Sequence, residues 1–345
     1  MTGLLGMLAA IALTAFCWGL YGPVLHFGRE DMGSALRPFV CVGLAYFFIA
    51  VVVPLALLRG GEKGEWTARG VLWSLLSGAA GAFGALGVIL ALSFGGKPIY
   101  VMPLVFGGAP VVNTLLSAAM NRSFDQLKAP FLAGLILVIT GAVTVLVFKP
   151  QPHAAAHVAA AEDQPDAGEA AAGKPGPVKV ERKLERLVEV LLSVALAIVS
   201  WGAYGPVLHR GQAGMGGSRL RPLICIGVAY FLIAVLVPLS LLAPLGDTGV
   251  WSIQGGLWSL AAGSLGALGA LGTILAFACG GKPFTVMPVV FGCAPVINTL
   301  ATLALAHTPV TAVSPFFLAG MLVVAVGAAT VLAFGPRGHA PAKPA

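Results

Sequence analysis

Apolar residues run along this chain in long blocks parted by short polar breaks. The blocks fall at roughly 3–22, 37–58, 71–95, 98–120, 129–148, 187–207, 222–243, 255–279, 283–306 and 313–334. A helix needs about 20 mostly apolar residues to cross the hydrocarbon core of a bilayer. The blocks are continuous and rich in Leu, Ala and Gly, unlike the alternating pattern of a membrane β-barrel. They predict an all-α integral membrane protein with ten transmembrane helices. The first block lacks the basic stretch that opens a secretory signal peptide. Its counterpart, LLSVALAIVSWG, lies mid-chain, so the first block is expected to stay as a helix.

The blocks come in two sets. WGLYGPVLH at Trp18 returns as WGAYGPVLH at Trp201, and RPFVCVGLAYFFIAVVVPLALL at Arg37 returns as RPLICIGVAYFLIAVLVPLSLL at Arg221. LWSLLSGAAGAFGALG at Leu72 returns as LWSLAAGSLGALGALG at Leu257. The offset drifts only from 183 to 185 residues, so one unit is written twice with almost no insertion. Each unit holds five helices, and an odd unit must enter the membrane from opposite sides in its two copies. That predicts two inverted five-helix repeats, an arrangement used by secondary transporters. The domains read as residues 1–148 (first repeat), 149–180 (linker), 181–335 (second repeat) and 336–345 (tail). The linker and tail are rich in Ala, Pro and charge without an apolar period, and are expected to be disordered. VKVERKLERLVEV, where the linker ends, mixes charge and apolar residues in helical rhythm and extends the sixth helix out of the bilayer.

Composition agrees. Of 345 residues 58% are hydrophobic and 10% charged, against about 25% charged in soluble domains. The net charge of +7 suits loops that orient a membrane protein rather than a nucleic-acid partner. Loops 2–3 and 4–5 carry Arg59, Lys63, Arg69, Arg122 and Lys128, whereas their counterparts carry Asp247 and His307 and no basic residue. The positive-inside rule then places both termini in the cytoplasm and the chain in the cytoplasmic (inner) membrane, although the basic cluster at Arg182 to Arg186 pulls the other way. Cys17, Cys41, Cys225, Cys279 and Cys293 all lie inside apolar blocks. They show neither disulfide nor zinc spacing and read as small buried hydrophobes.

ALSFGGKPIYVMPLVFGGAPVVNTLL and its twin ILAFACGGKPFTVMPVVFGCAPVINTLA resemble the third-to-fourth helix region of EamA-type domains, from the drug/metabolite transporter superfamily. The five-plus-five layout and the Trp-Gly in the first helix of each half add to the likeness. The resemblance implies a secondary transporter with cytoplasmic termini, a central cavity between the halves and, often, a homodimer. It implies no particular solute. The chain departs from the pattern at the end of the fourth helix, where many members have an acidic residue and this one reads SAAMNRSFD and LALAHTPVT.

None of the 13 acidic residues falls mid-span: 12 lie in predicted loops or the linker, and Glu189 stands at the start of the sixth block. Exchange of organic cations for protons ordinarily needs a carboxylate inside the membrane, so a small neutral or anionic metabolite is the expected solute. Trp18 and Tyr21, matched by Trp201 and Tyr204, share a helix face. Gly22-Pro23 and Gly205-Pro206 follow them and predict a kinked helix with freed carbonyls, as in transporter binding sites, or an ordinary kink beside interfacial aromatics. Asn113 and Asn298 are either solute ligands or interhelical hydrogen bonds. Lys97 and Lys282, each in a Gly-Gly-Lys-Pro run at a helix start, offer anion sites or snorkel to headgroups. Arg37 and Arg221 are gate or anion-binding candidates or plain interfacial arginines, and His26 and His209 could titrate as gates. Gly78, Gly81, Gly84 and Gly87, repeated as Gly263, Gly266, Gly269 and Gly272, predict close helix packing. No nucleotide-binding loop, metal cluster or nucleophile–base pairing stands out, so neither an ATP-driven pump nor an enzyme is expected, and no cofactor or metal. The rival readings are a drug or metabolite exporter with His-based proton coupling and a non-transporting scaffold or sensor.

Overall fold

The computed structural model describes residues 3–96, 98–148, 177–305 and 314–335. Lys97, the 149–176 part of the linker and the 336–345 tail lie outside the described residues. The described chain contains ten helices long and apolar enough to cross a bilayer, and it is a multi-pass membrane protein. The first five are α1 (Leu4–Met32), α2 (Leu36–Leu58), α3 (Ala68–Ser93), α4 (Pro98–Asn121) and α5 (Ala129–Val147). The second five are α6 (Pro177–Gly214), α7 (Leu220–Leu241), α8 (Ile253–Ala278), α9 (Pro283–Leu305) and α10 (Pro315–Phe334). Large apolar side chains such as Leu192, Ile253 and Leu322 are exposed on the outside, as a lipid-facing surface requires.

Local chemistry sets the helix ends. Thr67 and Ser252 cap α3 and α8 by accepting the N–H of Gly70 and Gly255. Gly33, at φ 57°, closes α1 in a left-handed turn that returns its N–H to the last carbonyls. Hence α1 runs ten residues past the predicted span, and Glu30 and Asp31 stand in its last turn rather than in a loop.

The two prolines stand inside continuous helices. α1 passes through Pro23 and α6 through Pro206 without a break. Each proline lacks an N–H, which costs the carbonyl of Gly19 or Gly202 its helical partner. The neighbouring glycines make close contacts. A Cβ on Gly22 would stand 2.6 Å from Asn298 Nδ2, and one on Gly205 would stand 2.4 Å from Met287 Cγ. The wide turns come elsewhere, as single π-helical turns at Phe48–Val52 in α2 and Leu232–Leu236 in α7. Pro54 and Pro238 follow them, and a wider turn relieves the clash between a proline ring and the carbonyl behind it.

The two sequence halves interleave. The most extensive packing joins α1 to α8, α3 to α6 and α5 to α10. Each glycine stripe packs across the halves. Gly78 and Gly87 of α3 meet Ile226 and Ala197, while Gly263 and Gly272 of α8 meet Val42 and Thr14. Backbones this close recover packing energy that lipid cannot supply by the hydrophobic effect.

Candidate functional site

The stripes also cut slots for aromatic rings. A Cβ on Gly269 would lie 2.2 Å from Trp18 Cδ1, and one on Gly84 would lie 2.0 Å from Trp201 Cδ1. Each indole fills its slot and donates its N–H to the opposing helix, Trp18 to Gly266 O and Trp201 to Gly81 O, both at 3.2 Å. Between the slots, Trp18 stands edge-on to Tyr204 at 5.7 Å between centroids. Tyr46 and Tyr230, at matched positions of the two halves, stack face to face at 3.8 Å and 2°. Tyr21 and Trp201 pack against the same buried cluster. Four sequence-derived candidates thus gather in one place, around two tyrosines that sequence reasoning missed. Tyr46 and Tyr230 were legible only as the repeated Ala-Tyr-Phe of α2 and α7.

Polar groups sit beside this cluster. Asn113 is fully buried and donates Nδ2 to Pro283 O at 2.9 Å, tying α4 to the start of α9. Its Oδ1, the Tyr204 hydroxyl and Gln212 Oε1 have no hydrogen-bond partner among the described residues. Buried polar atoms are ordinarily satisfied, so unfilled acceptors beside an aromatic cluster offer positions for a solute's donors. Asn298 is half-buried against the bare face of Gly22.

The remaining candidates separate. His26 is exposed and pairs with Glu30 one turn on, at 3.2 Å. His209 is half-buried, with its ring edge-on to Phe277 at 5.3 Å. Matched in sequence, the two histidines therefore occupy unlike environments. Lys282 is half-buried at the start of α9.

Arg37 and Arg221 correct the anion-site expectation, because carboxylates of the opposite half already occupy them. Arg37 Nε lies 2.8 Å from Asp247 and its guanidinium covers Trp251, while Ser34 Oγ donates to Asp247 at 2.5 Å. Arg221 Nη1 lies 3.5 Å from Glu62 over Trp66, with Ser218 Oγ donating to Glu62 at 2.6 Å. Burial alone would raise the Asp247 carboxyl, but hydrogen bonds from Ser34, Arg37 and the Gly249 N–H, with the Arg37 charge, hold it below the usual carboxylate range. Backbone bonds reinforce each latch, from Val250 N to Met32 O at 2.8 Å and from Glu65 N to Met215 O at 3.3 Å. Asp31 further accepts from Ser252 and from Gly255 N at the start of α8, a favourable place for an anion. The latch acids and tryptophans were missed, although Glu62 matches Asp247 and Trp66 matches Trp251 at the repeat offset.

Neither a family model nor a curated protein matches the chain. A solved crystal structure does, at 19% identity over 96% of this chain and 99% of that one, with a TM-score of 0.61. The two chains share a fold.

Proposed function

We propose that this chain is a secondary transporter of the EamA type. It moves a small neutral or anionic metabolite across the cytoplasmic membrane by alternating access of two inverted five-helix repeats. The observation that carries the reading is the pair of matched latches with the shared aromatic cluster between them. α1 runs antiparallel to α8, since Met32 meets Gly255 and Thr14 meets Gly272; α6 runs antiparallel to α3, since Gly214 meets Gly70 and Ala197 meets Gly87. If successive helices cross in alternate directions, α1 and α6 point oppositely and the latches close opposite faces. A scaffold has no need of one closure per face. Alternating access needs both, opened in turn.

In this reading Trp18, Tyr21, Trp201, Tyr204, Tyr46 and Tyr230 form the solute platform. Asn113, Asn298 and the Tyr204 hydroxyl supply hydrogen bonds. The basic loops 2–3 and 4–5 support a cytoplasmic position for both termini, and in this reading the chain acts without a cofactor and not as an enzyme. The test is solute uptake into proteoliposomes across sugars, amino acids, nucleotide sugars and phosphorylated metabolites. Uptake of at least one solute that falls on Tyr204→Ala is expected. Absence of flux for the whole panel would favour the scaffold.

A further inference from the structure

Four described arginines are half-buried: Arg29, Arg37, Arg210 and Arg221. Three have their charge answered. Arg37 and Arg221 hold carboxylates, and Arg210 donates to Met120 O at 2.5 Å while covering Trp73. The Arg29 side chain makes no hydrogen bond, ion pair or ring contact among the described residues. Arg29 stands in the last turn of α1, beyond the apolar block, and a cation half-withdrawn from water there without a partner is costly and marks a candidate solute path.

Its position in α1 says what it faces. Trp18, Tyr21, Leu25 and Arg29 recur at helical spacing on one stripe, and the first three pack against the buried core that includes Tyr46, Tyr204 and Tyr230. The matched residue in α6 is Gln212, 4% exposed, which points inward and donates to Ile274 O at 3.1 Å. Arg29 therefore lies on the stripe that leads to the solute platform, one turn inside the Asp247 latch. At the other end Lys282, also half-buried, carries no side-chain hydrogen bond or ion pair among the described residues.

Resting on the transporter reading, we infer that the solute is an oxyanion and that Arg29 grips its carboxylate or phosphate at one mouth, with Lys282 taking the same role at the other. The two cations stand at non-matching repeat positions, since Arg29 is matched by Gln212 and Lys282 by Lys97. A guanidinium offers planar, charge-assisted donors to either oxyanion. The aromatic platform then receives the uncharged remainder of the solute.

Melting curves of the purified full chain are taken with gluconate, glucose 6-phosphate, inorganic phosphate, glucose and sorbitol. At least one of the anions is expected to stabilise the protein at lower concentration than the neutral sugars do. Gluconate alone would mark a carboxylate solute; glucose 6-phosphate or phosphate, a phosphorylated one. Arg29→Gln copies the residue already present at the matched position, so it suits the helix. It should raise the half-saturating anion concentration about tenfold or more, with Arg29→Lys recovering part of the loss. The inference is overturned if no anion stabilises the wild type, or if Arg29→Gln binds anions unchanged. Proteoliposome flux separates the two claims: neutral-solute flux indifferent to Arg29→Gln keeps the transporter and removes this site. Anion binding lost in Arg29→Gln, with no flux of anything, keeps the site and removes the transporter.

Discussion

Replacing Asp247 with Asn tests the latch directly. The carboxylate accepts from Ser34 Oγ, from Arg37 Nε at 2.8 Å and from Gly249 N at 3.1 Å. An amide oxygen in place of Oδ1 can keep the Arg37 and Gly249 bonds, so the loss falls on the negative charge facing Arg37 and on the Ser34 bond to Oδ2. The pair is only 14% and 9% exposed, so water screens it less than a surface pair, and the Arg37 charge would be left without its counter-ion. A hydrogen bond to a charged group is worth about 1.5–3 kcal/mol net, which is about 10- to 150-fold in the opening equilibrium. Amide hydrogen exchange of the protein in nanodiscs reads that opening region by region. Exchange in residues 35–40 and 248–256 should quicken by that factor in Asp247→Asn. Residues 62–67 and 218–224, at the Glu62 latch, should keep their wild-type rates. Adding Arg37→Gln should cost little more, because the two side chains act as one unit. Unchanged exchange near Arg37, or equal acceleration at both latches, would refute the claim that this ion pair holds one face shut.

The same carboxylate sets a pH dependence. Its folded-state value is depressed, so the stability it contributes is present above the unfolded value of about 4 and is lost as pH falls through the folded value below that. Exchange near Arg37 should therefore accelerate on acidification below about pH 4 in the wild type and respond less in Asp247→Asn. Gly84→Ala pushes a methyl into the Trp201 slot and should destabilise by about 1–3 kcal/mol as overpacking, read as a lowered melting temperature. Gly256→Ala has only Met32 Cε nearby, at 3.9 Å, and should leave the protein unchanged or about 0.5–1 kcal/mol more stable. Tyr204→Phe removes a buried hydroxyl that has no partner among the described residues. It should leave melting unchanged or slightly raised while weakening solute binding, and a large drop in melting temperature would mean that the hydroxyl holds the fold.

What the sequence by itself determined was the helices and the repeat. Ten apolar blocks without room for a polar surface leave a bilayer as the only solvent, and two near-identical sets of five follow by inspection. The glycine stripes were legible for the same reason, since small residues at a spacing of three have one cheap use among packed helices. Tertiary structure decided which helix each stripe receives. Spacing cannot reveal that α1 packs on α8 and α6 on α3, so it could not show that Trp18 faces Tyr204 or that Tyr46 stacks on Tyr230. Partnership of charges was hidden likewise. Arg37 and Asp247 lie 210 residues apart, and only their meeting turned an apparent anion site into a latch. Arg29 was the reverse case, ordinary in the sequence beside Glu30 and Asp31. It stands out once His26 has taken Glu30, α8 has taken Asp31, and the guanidinium is left without a hydrogen bond or ion pair among the described residues.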